Sequence, residues 1–241
     1  ASGRRGVSQG AGNSRLEPLF LADEESFGQL LLVRHAQQGL NAFVDPARPK
    51  AGDAMLSDVG RRQADCVGRY LRSERVDAVY CSPLLRARQT ADAIAQHHGL
   101  TPTVMADLVE VGIYRDLPEG SKVSDILTPE EIDALWADFG TSRRWDSYPY
   151  SESSAAFAER IDATVEEILR AHAESERVAV VCHAGVINRA LARALGLEAD
   201  FFAVPGHASV SRLARGHGRL NIRSLNEVSH LRDDPTTEVT Y

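Results

Sequence analysis

Two apolar runs that each end in a histidine constrain this chain more than any other feature. Leu31-Leu32-Val33-Arg34-His35-Ala36 stops abruptly at an arginine and a histidine. The run over 29–33 is brief and has no helical period, so it reads as a buried strand. Far along the chain, Val178-Ala179-Val180-Val181-Cys182-His183 repeats the pattern, followed by Ala184-Gly185. Open α/β sheets place their chemistry at the carboxyl ends of strands. A guanidinium beside an imidazole there can bind an oxyanion and attack it. One such pair is commonly no more than a packed histidine with an arginine reaching to water. Two strands delivering two histidines to one sheet edge suggest an active site.

The remaining pattern alternates between strand and helix. Residues 57–71 place Val59, Cys66, Val67, Tyr70 and Leu71 on one helical face, with Ser57 as N-cap. A strand follows over 76–81, then a helix over 84–98 closed by Gly99, and a third strand over 103–105. Residues 151–172 form the most regular helix, striped by Phe157, Ile161, Val165, Ile168, Leu169 and His172, with Ser151 as candidate N-cap. After the second histidine strand comes a helix over 186–195 ending at Gly196. Paired strands over 208–214 and 220–225 enclose a Gly216-His217-Gly218 turn. This order implies a largely parallel sheet covered on both faces, a three-layer α/β/α sandwich over residues 29–241. Residues 112–150 fit the alternation least well; they hold one helix, over 129–139, and read as a lid over the sheet edge. Residues 1–28 are rich in Gly, Ser and Arg and read as a flexible arm.

The net charge of -7 argues against a general nucleic-acid binder, though a locally basic pocket can still hold an anion. No run of membrane-spanning length and no signal peptide is evident. Cys66, Cys81 and Cys182 fall at expected core positions, an odd count that fits a reducing compartment, so the cytoplasm is expected. No Cys-x-x-Cys pair and no histidine spacing points to a metal.

Four segments carry more information together than apart. They are Arg34-His35-Ala36-Gln37-Gln38-Gly39-Leu40-Asn41, Leu56-Ser57-Asp58-Val59-Gly60-Arg61-Arg62-Gln63-Ala64, Tyr80-Cys81-Ser82-Pro83-Leu84-Leu85-Arg86-Ala87-Arg88-Gln89-Thr90-Ala91, and Val181-Cys182-His183-Ala184-Gly185-Val186-Ile187. In this order they closely resemble the histidine phosphatase superfamily, also called phosphoglycerate mutase-like. The resemblance implies that fold, with a lid insertion, and a metal-independent phosphomonoester hydrolase with no cofactor. His35 would be the nucleophile that forms a phosphohistidine. Arg34, Arg86 and His183 would surround the phosphoryl group, with Asn41 and the backbone N–H of Ala184 as further contacts. Leu108-Val109-Glu110 is similar to the family's Leu-x-Glu, which makes Glu110 the general acid. Its following residues depart from the family pattern, so Asp107, Asp116 and Glu119 stand as rivals. The expected substrate is a phosphorylated small molecule, with a phosphoprotein as a second class. Two other readings are a phosphoglycerate-mutase-type phosphotransferase and a non-catalytic module binding phospho-ligands. Nothing in the sequence sets the oligomeric state, and a homodimer stays open.

Several residues have plain structural readings. Arg88 reads as a surface residue, Cys182 as a buried strand cysteine, Asp58 and Gly60 as helix-start chemistry, and Gln63 as a solvated helix residue. Glu152 suits the first turn of a helix by its charge. His207 reads equally as a neighbour of the site or as an exposed loop residue. Asn188 stands where relatives often carry arginine, and Gln38 where they carry Ser or Thr. The lid's Arg115, Lys122, Arg143, Arg144, Trp136, Trp145, Tyr148 and Tyr150 suit either an acidic or aromatic leaving group or a half-packed surface.

Overall fold

The computed structural model describes residues 28–39, 53–118, 120–216 and 219–241. The arm expected over 1–28 falls outside these save for Gly28, as do Asn41, Glu119 and the tip of the 216–218 turn. The strands are β1 (Gln29–Arg34), β2 (Ala78–Cys81), β3 (Thr103–Val104), β4 (Arg177–Cys182), β5 (Val210–Gly216) and β6 (Arg219–Glu227). The helices are α1 (Asp58–Leu71), α2 (Leu85–Ala95), α3 (Val123–Ile126), α4 (Pro129–Ser142), α5 (Ser154–Ala171), α6 (Ala184–Leu195) and α7 (Ser229–Arg232).

The strands form one sheet in the order β3-β2-β4-β1-β5-β6. The first four of these run parallel, and β5 and β6 are antiparallel. Successive strand side chains face opposite sides, and both faces are covered, which is why residues 30–33 of β1 and 178–182 of β4 are unbroken apolar runs. Leu31, Val33, Ala179 and Val181 join one core with α1 and α2 through Val67, Leu71 and Ile94. Leu30, Leu32, Val178 and Val180 join the other with α5 and α6 through Phe157, Ile161 and Leu191. Each fully buried leucine here stabilises the fold by about 2 kcal/mol. Among the described residues no helix is long and apolar enough to cross a membrane.

Ser57 caps α1, accepting a hydrogen bond from Gly60 N at 2.9 Å. Gly60 has a larger role than starting a helix. A Cβ there would lie 1.9 Å from Gln37 O, so only glycine lets α1 press against the loop that follows β1. The long helix begins later than expected. Ser153, not Ser151, caps α5, and Ser151 Oγ instead accepts from Tyr114 N at 2.8 Å. That exchange ties the 112–150 segment to the start of α5. Helix α4 runs a turn beyond residue 139 and ends at Arg143 in the left-handed region, φ 57°. The four-residue α3 and α7 are too short to show a period in the sequence.

Within 112–150 most of the aromatic residues are packed rather than displayed. Trp145 and Tyr148 are buried and stack with Phe139, Phe201 and Tyr114 against the α5–α6 core. Trp136 and Tyr150 stay exposed.

Candidate active site

Register is what brings the two histidines together. Arg34 of β1 pairs with Cys182 of β4, and His35 N continues the ladder to Cys182 O at 2.9 Å. On the other side of β4, Ser82 N donates to Val181 O at 3.0 Å, so Ser82 lies beside His183. The two imidazole centroids are 5.0 Å apart.

The partners of each ring define its protonation. His35 Nδ1 lies 2.8 Å from Ala36 O, and a carbonyl can only accept, so Nδ1 carries the proton. Nε2 then holds a lone pair, and Arg86 Nε donates to it at 3.2 Å. His183 Nδ1 lies 3.4 Å from Arg86 Nη2, which can only donate, and its Nε2 is 2.8 Å from Ser82 Oγ. Burial holds the His35 imidazole well below its usual 6.5, helped by His183 and Arg86. His183 is likewise held low, by burial first and then by Arg86 and Arg34. Both rings are therefore held neutral.

Two arginines supply the charge. Arg34 donates through Nη1 to Pro205 O at 2.6 Å, while its Nε is buried without a partner among the described residues. Burial pulls its guanidinium down to about 10, against the attraction of Glu110. Burial also lowers Arg86, and Glu110 opposes it there too. Two desolvated guanidiniums, one with a buried unused donor, form a pocket that an anion would stabilise.

Glu110 lies across from them. Oε1 accepts from Val111 N at 3.0 Å, and both oxygens accept from Gly185 N at 3.1 Å. Burial raises its carboxyl above the ordinary range, and those backbone donors only partly oppose the rise. Asp107 and Asp116 are exposed instead, and Asp116 pairs with Arg115. Ala184 is the first residue of α6, so its N–H has no acceptor within the helix.

Gly185 leaves the Glu110 carboxylate the room it occupies. A Cβ there would come within 2.4 Å of Glu110 Oε1. Because the carboxylate ends a flexible side chain, Gly185→Ala should cost only about 1 kcal/mol of stability. It should displace Glu110 and, on the general-acid role that the resemblance implies for it, slow alkyl phosphates more than aryl ones. Equal rates for both ester types, unchanged from wild type, would show that the carboxylate does not move.

Around these groups lies a set of supporting residues, of which pattern reading did not single out Thr90 or Arg160. Thr90 Oγ1 accepts from Ala36 N at 3.0 Å and donates to Arg86 O at 2.7 Å, fixing the peptide that orients His35. Its i,i+4 spacing from Arg86 was the available signal. Arg160 grips Glu152 with two hydrogen bonds, 2.7 and 2.9 Å, and donates to Asp107 O and Val109 O just before Glu110. Glu152 is thus a buried anchor beyond any helix-start role. Gln63 corrects its expected reading outright: it is 0% exposed, and its Oε1 accepts from Gln37 N at 2.9 Å. Asn188 is also fully buried; its amide bonds Ala184 O, Ala203 O, Phe202 N and Ala203 N. It therefore holds the loop that carries Pro205. Arg88 is exposed and Cys182 is a buried free thiol raised by desolvation. His207 is buried, with its ring centroid 5.5 Å from that of His35. Among the described residues no cluster of His, Cys, Asp and Glu could hold a metal ion.

The buried histidines predict a pH dependence of stability. Their folded-state pKa values lie below the unfolded 6.5, His207 at about 3 through burial and then Arg34. The unfolded chain therefore binds more protons as pH falls below 6.5. Stability is present above that value and is lost on acidification, by about 1.4 kcal/mol per pH unit for each such ring. Denaturation curves at neutral and mildly acidic pH should show this slope, shallower in His207→Asn. An identical slope in the variant would refute the assignment for His207.

Comparison with known proteins agrees with this geometry. The sequence pattern of the histidine phosphatase superfamily (branch 1) matches residues 30–228. Phosphoserine phosphatase 1 of Hydrogenobacter thermophilus is 29% identical over 213 residues, 84% of this chain and 94% of that protein. A protein of Yersinia pestis described as "Probable phosphoglycerate mutase GpmB" is 31% identical over 176 residues, 71% of this chain and 76% of its own. Among solved structures, Bacillus stearothermophilus YhfR superposes with a TM-score of 0.69 at 23% identity, covering 84% of this chain and 98% of that one. With two neutral histidines and two arginines gathered where those motifs meet, this chain belongs to the histidine phosphatase superfamily, branch 1.

Proposed function

We propose that this protein hydrolyses phosphomonoesters through a phosphohistidine on His35. The observation that carries the reading is the His35 ring, locked at Nδ1 on Ala36 O with its Nε2 lone pair beside Arg86. In the first step Nε2 attacks phosphorus and the ester oxygen departs, taking a proton from Glu110. In the second step Glu110 removes a proton from water, which attacks phosphorus and releases inorganic phosphate and neutral His35. Arg34 and Arg86 neutralise the transferring group in both steps, with His183, Asn41 and the Ala184 N–H as further contacts.

The substrate class is a phosphorylated small molecule. The likeness to a phosphoserine phosphatase supports a small phosphomonoester of this kind. Hydrolysis is favoured over a mutase because two lid arginines offered as anion contacts are already engaged. Arg115 pairs with Asp116 and Glu152, and Arg144 with Asp146 and Asp200. We place the catalytic domain at residues 29–241 and assign 112–150 to substrate selection.

The test is phosphate release from an aryl phosphate and a panel of metabolite phosphomonoesters in EDTA. Turnover that needs no added metal is the expected result. Transfer of phosphate between two metabolites without release would overturn the reading in favour of a mutase.

A further inference from the structure

A third imidazole stands at the pocket with no part in the steps above. His207 packs its ring beside that of His35, tilted by 53° with centroids 5.5 Å apart. The main chain fixes this placement. Ala208 N donates to Arg34 O at 3.0 Å, and Arg34 N donates to Ser209 O at 3.2 Å. Ala208 is held at φ 55°, a conformation a residue with a Cβ rarely adopts unless its surroundings enforce it.

The segment 236–241 determines which nitrogen of His207 bears the proton. His207 N donates to Thr240 O at 2.8 Å, and its Nδ1 lies 2.9 Å from Thr240 Oγ1. The same hydroxyl accepts from Gln63 Nε2 at 2.9 Å, whose second proton goes to Glu238 O at 2.8 Å. The amide orientation is unambiguous, because Gln63 Oε1 accepts from Gln37 N. A threonine hydroxyl has one proton to give. Among the described residues bonded to it, only His207 Nδ1 can take that proton. The ring also approaches Thr240 O, but that carbonyl already accepts from His207 N and the close ring contact is to Oγ1. Every partner is therefore satisfied when Thr240 Oγ1 donates to Nδ1, which leaves the imidazole proton on Nε2.

We propose that His207 is a substrate-binding residue, its Nε2–H donating to an oxygen of the phosphoryl group at His35, and that Thr240 is the positioning residue that sets this tautomer. The inference rests on the phosphatase reading. Desolvation and the Arg34 charge keep the ring neutral down to about pH 3, so the donor persists across physiological pH. Gln63 links the same hydroxyl to the loop after β1, so a segment far from every motif becomes part of the site.

Nitrogen-15 NMR of the His207 ring in the full chain, together with binding of inorganic phosphate, tests this without relying on turnover. The wild type should show the proton on Nε2, and Thr240→Val should show a mixture of tautomers. Phosphate affinity should fall about tenfold in Thr240→Val and roughly 10- to 100-fold in His207→Leu. His207→Asn, which restores a neutral donor, should recover most of the His207→Leu loss; a merely structural role would give no such rescue. Thermal melts identify any variant whose loss comes from misfolding. A proton on Nδ1 in the wild type would overturn the proposal, as would unchanged phosphate affinity in both Thr240→Val and folded His207→Leu. Aryl phosphate turnover by wild type and His35→Ala is a separate readout, whose failure would strike the phosphatase reading and leave the tautomer result standing.

Discussion

His35→Ala should abolish phosphomonoester turnover, by at least about 10⁴-fold, and leave a folded protein. That loss corresponds to roughly 5.5 kcal/mol of barrier, the scale expected when a covalent nucleophile is removed rather than a binding contact. The fold should survive because the change is local. The His35 ring donates to Ala36 O and accepts from Arg86 Nε, two hydrogen bonds worth about 1 kcal/mol each. Its removal also ends the desolvation of an imidazole between Arg86 and His183. Labelled substrate should leave alkali-stable, acid-labile phosphate on the wild type and none on His35→Ala. A variant retaining wild-type rates would eliminate His35 as nucleophile and with it the phosphohistidine route.

Glu110→Gln should separate substrates by leaving group. A nitrophenolate departs without a proton, so its burst, which reports attack by His35, should stay near the wild-type rate. A serine-type alkoxide needs the proton, and its phosphorylation step should slow by about 10²- to 10⁴-fold. Hydrolysis of the phosphoenzyme should slow for both esters, because the same carboxylate then acts on water. The pH profile gives an independent sign. Burial raises the Glu110 carboxyl, and an acid works only while protonated. The alkyl burst should therefore fall as pH rises through that raised value, and this limb should vanish in the variant. Equal slowing of both bursts, or neither, would shift the role to Asp107, Asp116 or Glu119.

The expected elements and the observed ones differ where local pattern carries little information. The strands ending in His35 and His183 were legible from their short apolar runs, because a strand buried on both faces has few other sequence forms. The α5 start was misplaced by two serines within three positions, both able to cap. The choice went to Ser153 because Tyr114 N claimed the Ser151 hydroxyl. Gln63 looked solvated because a polar residue on a helix normally is. Its burial depends on acceptors at Glu238 and Thr240, which no window around α1 contains.

By itself the sequence determined the alternation of strands and helices, the four motifs that define the family, and the residue types able to hold and attack a phosphoryl group. These follow from short-range periodicity and from chemistry written in neighbouring letters. Tertiary structure decided which groups meet: the β1–β4 register that aligns His35 with His183, the carboxylate that faces the arginines, and the bonding of Gln63 and His207 to Thr240. Burial, protonation and tautomer all depend on partners distant in the chain, and only packing brings such partners within hydrogen-bonding reach.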